Sequence, residues 1–137
     1  MKPTISFIIP IQAHQQFLIE QLNAIFKFSE CYHGFCEIIT PTADLDNPKL
    51  NLIKLAIKLN KVSHPHVRTR QLYFTQKMDL KNLIEIGLSQ ALGDKIVIVL
   101  NIPENVENLE IKNFTDKNII ITQYMVDTDT LQNVVSD

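Results

Sequence analysis

The chain has 137 residues, about the length of a single domain. Hydrophobic residues make up 45% of it and charged ones 20%, enough apolar material to bury a core without disulfide or metal staples. A formal net charge of -2 excludes an overall basic footprint for nucleic acid or anionic membrane, and no stretch approaches the ~20 apolar residues of a membrane span.

Met1 to Thr4 leads straight into an apolar run too short for a secretory signal, with no small-residue cleavage site after it. The expectation is a cytoplasmic protein, in which Cys31 and Cys36 are reduced thiols. That run, residues 5–10 (ISFIIP), is continuous and closed by proline, as suits a strand buried on both faces. Leu18, Leu22, Ile25 and Phe26 then recur at helical spacing, giving a first helix that ends before Gly34. Residues 36–40 form a short second strand, stopped by Pro41.

Asp46-Asn47-Pro48 is a helix start, a capping residue followed by proline at the first helical position. The second helix carries apolar residues nearly all the way round, from Leu50 to Leu59, which predicts either deep burial or an interface. His64-Pro65 ends it, and residues 67–74 read as a third strand on which Arg68 and Arg70 share one face of a sheet edge. Asp79 caps a third helix striped by Leu80, Leu83, Ile84, Gly87, Leu88 and Ala91, with Gly93 as its stop and Asp94 as a turn residue. Residues 96–100 (IVIVL) are the clearest buried strand. A polar stretch without a period follows, then a last strand from Ile119 and a weakly helical end.

Alternating apolar strands and helices predict a single α/β domain, a mostly parallel, Rossmann-like sheet with helices on both faces. Ligands of such sheets bind beyond the carboxyl ends of the strands, near the point where strand order reverses. Three loops are therefore expected to meet there: residues 11–16, 41–47 and 101–105.

Residues 5–25 (ISFIIPIQAHQQFLIEQLNAI) and residues 81–100 (KNLIEIGLSQALGDKIVIVL) carry a family likeness. The first is similar to the opening of family 2 glycosyltransferases, an apolar strand ending in proline, a polar loop and a leucine-spaced helix. The second resembles the segment leading to that family's metal site, with Gly87, Ala91, Gly93 and Asp94 in matching places. The resemblance implies a truncated GT-A fold and a nucleoside diphosphate sugar ligand, with Mg²⁺ or Mn²⁺ on the diphosphate. A hard cation of this kind needs carboxylate oxygens.

Here the sequence departs from the family. The Asp-x-Asp place reads Leu100-Asn101-Ile102-Pro103-Glu104, and the aspartate pair after the second strand is replaced by Thr40-Pro41-Thr42-Ala43-Asp44. The family's asparagine after the first proline corresponds to Ala13, and the acceptor-binding half would lie past residue 137. The resulting expectation is a degenerate transferase-like domain without full transferase activity and without catalytic or metal-ligating residues. It keeps a shallow nucleotide-sugar pocket formed by Ile11, Gln12, His14, Asp44 and Asn101. The alternative is a non-catalytic interaction module acting as a homodimer, with the second helix or last strand as its interface.

Cys31, His33 and Cys36, with His64 or His66, have ligand types that suit zinc, but the second knuckle is only His-Pro-His, and a buried strand cysteine is the plainer reading of Cys36. His14 is placed to meet a phosphate or act as a base, and a solvated loop histidine is the plainer account. Gly34, Gly87 and Gly93 are too scattered for a phosphate loop, and no serine elbow or cysteine nucleophile motif is present.

Overall fold

The computed structural model describes residues 2–13, 15–100, 118–123, 131, 132 and 135. In chain order the elements are β1 (Ile5–Ile8), α1 (Leu18–Cys31), β2 (Cys36–Ala43), α2 (Asn47–Ser63), β3 (Arg68–Phe74), α3 (Leu80–Gln90), β4 (Lys95–Leu100) and β5 (Asn118–Gln123). The five strands form one sheet in the order β3-β2-β1-β4-β5, and every neighbouring pair is parallel. This is a Rossmann-like α/β fold, in which the chain winds outward from β1 to β3, then crosses back to β4 on the other side of β1.

Strand alternation divides the core in two. Ile5, Phe7, Ile38, Val97 and Val99 point to the face covered by α1 and α2. Ile8, Ile39, Ile96, Ile98 and Leu100 point to the face covered by α3. Helices therefore cover both faces, and β1, β2 and β4 are buried on both sides, with Ser6, Glu37, Thr40 and Thr42 as their buried polar residues. Phe7 anchors the first layer, its ring edge-on to Phe28 at 5.9 Å between centroids. A fully buried side chain of this size contributes about 2–3 kcal/mol. Leu131 and Val135, both in helical conformation, add to the same layer.

The helix starts follow local chemistry. The Asp46 carboxylate accepts the Lys49 N–H at 2.9 Å, and the Asp79 carboxylate accepts the Asn82 N–H at 2.8 Å. Each satisfies a donor that the first turn leaves without an intrahelical partner. Two expectations change. β2 does not stop at Pro41 but runs on to Ala43. Pro41 turns its carbonyl toward β1, where it accepts the Ile11 N–H at 2.9 Å, so proline removes one donor on that side only. Gly93 does not stop α3 either, because the helix ends at Gln90 and no glycine has a positive φ.

Close approach is what both glycines of this region supply. A Cβ on Gly87 would stand 2.6 Å from Ile8 Cγ2, and one on Gly93 would stand 2.7 Å from the Ser6 backbone nitrogen. Gly87 lets α3 lie tight on β1. Gly93 brings the next turn onto the amino end of the sheet, where a buried polar cluster holds it. The fully buried Glu37 carboxylate accepts the Ser6 hydroxyl at 2.6 Å and the Leu92 N–H at 2.7 Å, with Arg70 Nε at 3.7 Å. Ser6 Oγ in turn accepts the Gly93 N–H at 2.8 Å. Asp94 closes the turn on the surface through Lys2 at 2.6 Å. This end of the sheet is sealed.

Candidate functional site

The carboxyl end is built differently. β1 continues past Ile8 on one side only: the Ile9 N–H donates to Ile39, the Ile11 N–H to Pro41, and the Ala43 N–H to Ile11. Toward β4 the last register pair is Ile8 with Ile98. Pro10 lies between two residues whose N–H groups face β2, so its missing donor is on the β4 side. The two halves of the sheet part here, at the reversal of strand order where ligands of such folds bind.

Two residues on this rim hold a left-handed backbone without being glycine. Phe17, at the start of α1, has φ 60, and Asp44, just after β2, has φ 62. Aspartate tolerates this region, whereas a bulky phenylalanine is held there at a cost of about 1–2 kcal/mol. Phe17 nonetheless leaves its ring 58% exposed. Strain of this kind gathers at binding sites, because the surrounding structure must enforce it.

Between the ends of β2 and β3 and the first turn of α2 lies a hollow of about 270 Å³. Thr42, Asp44, Asn47, Leu50, Tyr73 and Phe74 are among its walls. Partial burial raises the Tyr73 hydroxyl above its ordinary pKa, and its hydrogen is donated to Gln71 Oε1. Asp46 and Asp79 are engaged as caps, and among the described residues Asp44 is the carboxylate that lines this hollow.

The expected pocket residues divide accordingly. Asp44 is in the wall. Ile11 is completely buried and belongs to the core on the α1 side. Gln12 is buried and holds the loop: its N–H donates to Gln15 Oε1 at 3.0 Å and its amide nitrogen to the Met78 carbonyl at 2.9 Å. Lys49 fastens the same loop to α2, with its ammonium on the carbonyls of Ala13 and Gln15. His14 and Asn101 lie outside the described residues, as does the loop 101–105. The structure adds Tyr73 and Phe74, which pattern reading placed only in a strand. An aromatic pair at the carboxyl end of an edge strand was the available signal.

The zinc constellation does not assemble. Cys31 is exposed, Cys36 is buried in β2, and among the described residues no three metal-ligating side chains come together. Burial pushes the Cys36 thiol up to about 11, opposed by a weaker hydrogen bond with Ser29. The described part of the rim does not fit a divalent cation either, since Asp44 alone gives too few oxygens. Arg70 serves Glu37, and Arg68 lies over the Phe35 ring at 5.0 Å. No helix among the described residues is long and apolar enough to cross a membrane.

Comparison gives no relative. No family model, curated protein or solved structure matches this chain.

Proposed function

We propose that the chain is a glycosyltransferase-related domain without full transferase activity, which binds the nucleoside end of a nucleoside diphosphate or its sugar at the carboxyl rim. One observation carries this reading: the hollow at the end of β2 joins a carboxylate, Asp44, to the aromatic walls of Tyr73 and Phe74. An acidic residue at the end of a Rossmann β2 is placed for ribose hydroxyls, and aromatic surface suits a base. The hollow is smaller than a full ligand pocket, so diphosphate and sugar extend from it along the rim. The place of the family's Asp-x-Asp motif reads Asn101-Ile102-Pro103, which is why binding is proposed and not transfer.

Thermal-shift measurements with UDP, GDP, ADP and their sugars, with and without Mn²⁺, test it. Ligand at a hundredfold over its dissociation constant adds ~2.7 kcal/mol of stability. Asp44→Ala is expected to abolish the shift and, at φ 62, to lower the free protein's melting point by a few degrees. A flat screen at millimolar ligand rejects the proposal.

A second reading, an interaction module, is favoured by one feature: Leu52, Leu55, Leu59 and Val62 remain exposed along the outer side of α2. The second helix is half core and half open surface.

A further inference from the structure

We infer that the open side of α2 docks an acidic amphipathic helix of another protein; this rests on the interaction reading and commits it to one occupant. Ile53, Ala56, Ile57 and Asn60 face the core, while Leu52, Leu55, Leu59 and Val62 are 51% to 75% exposed. From Leu52 to Val62 the stripe runs ~15 Å, the length of about three helical turns. It is not flat: Leu52, Leu55 and Leu59 form one wall of a groove of about 330 Å³ whose other wall is Ile19 and Asn23 of α1. Grooves between helices that expose leucines at these intervals accept the apolar face of a further helix.

Charge selects the occupant. Lys54, Lys58 and Lys61 each precede a member of the apolar stripe, so a lysine row runs beside it, ~100° round the axis. The three lysines line a trough of about 450 Å³ with Gln71 and Tyr73, and Lys54 Nζ stands 4.8 Å over the Tyr73 ring. Among the described residues no carboxylate pairs with any of them. Residues 47–78 carry seven of the chain's thirteen lysines and arginines and none of its fifteen carboxylates. Of these, Lys54, Lys58 and Lys61 stand on this flank, whereas Lys49 is held by the carbonyls of Ala13 and Gln15, Arg68 lies over Phe35 and Arg70 faces Glu37.

A second copy of the chain fits poorly. A two-fold axis perpendicular to α2 brings each lysine row against the other, and a two-fold parallel to α2 sets two helix dipoles side by side in the same sense. A lipid surface is also a poor match, because the apolar stripe is one wall of a groove and the lysines lie on one flank only. A helix with apolar residues on one face and glutamates beside it satisfies both rows.

The test uses the whole chain and a labelled 18-residue synthetic helix, with leucines at three- and four-residue intervals and glutamates flanking them. A matched peptide replaces each glutamate by lysine. By fluorescence anisotropy the acidic peptide is expected to bind at least tenfold more tightly than the basic one, and to weaken at least tenfold between 50 and 500 mM NaCl. Leu55→Asp is expected to abolish binding, and Lys54→Glu with Lys58→Glu to weaken it tenfold, with circular dichroism and melting unchanged because these side chains are exposed. Nucleotide-induced thermal shifts are expected to survive Leu55→Asp, which separates this surface from the rim. Equal binding of both peptides, binding of neither at 1 mM, a dimer in sedimentation velocity that Leu55→Asp dissociates, or flotation with phosphatidylserine vesicles lost in the same variant would each overturn the inference.

Discussion

Replacing Glu37 by glutamine exchanges one carboxylate oxygen for an NH₂ group and tests how the amino end of the sheet is held. In the native chain Glu37 Oε2 accepts two donors, from Ser6 and Leu92, and the second oxygen faces Arg70. Glutamine keeps one oxygen for the two donors but turns an NH₂ toward the guanidinium. Each accepted bond falls from charge-assisted to neutral, a loss of about 1 kcal/mol apiece. The donor-to-donor contact with Arg70, one-third exposed, adds about another 1 kcal/mol. The sum, about 3 kcal/mol, corresponds to a fall of roughly 10 °C in melting temperature for a domain of this size. Urea and thermal unfolding at pH 7, followed by circular dichroism, measure it. Lys2→Ala is the control, because its ion pair with Asp94 is mostly exposed and contributes well under 1 kcal/mol. A Glu37→Gln protein within about 1 kcal/mol of native refutes the account of the buried carboxylate as the clamp on residues 92–93.

Further outcomes are expected. Gly93→Ala costs more stability than Gly87→Ala, about 3 against 1–2 kcal/mol in denaturant melts, because its new methyl meets Ser6 and Ile5 backbone whereas that of Gly87 meets an isoleucine methyl and gains helix propensity; the reverse order refutes the close-approach explanation. A thiol reagent at pH 8 modifies Cys31 quickly and Cys36 only after denaturation, since Cys36 is buried and its thiol titrates near 11. With its folded pKa above the ordinary 9.0, the proton on Cys36 stabilises the native state fully below pH 9, and that contribution is lost as pH rises from 9 through 11, an alkaline loss that Cys36→Ala removes. Asp46→Ala, which removes the α2 cap, lowers stability by about 1 kcal/mol, whereas Asp44→Gly, at φ 62, raises it slightly while removing nucleotide-induced shifts.

The order and direction of the elements were legible because apolar runs such as IVIVL and helical stripes such as Leu80, Leu83, Ile84 and Leu88 report burial directly. The caps at Asp46 and Asp79 were legible for the same local reason. What escaped depends on partners distant in sequence. Whether Pro41 ends a strand turns on which neighbour its nitrogen faces, and the purpose of Gly93 turns on Ser6, 87 residues away. Glu37 is a fully buried centre of bonding whose partners lie in three other segments, which no local pattern shows. At the rim, Asp44 was recognisable from its position after β2. Tyr73 and Phe74 join it only because β3 lies next to β2 in the same direction, with Ala43 in register with Phe74.

Pro10 gives the rim a permanence that packing alone would not. Since an imino acid carries no hydrogen to offer β4, the seam between the two half-sheets cannot zip further by thermal fluctuation, whatever the side chains around it do. Valine at this position would restore the donor and tend to knit the sheet one rung farther. Stability gained that way would come at the expense of the opening, so the proline works as a built-in spacer between the two halves.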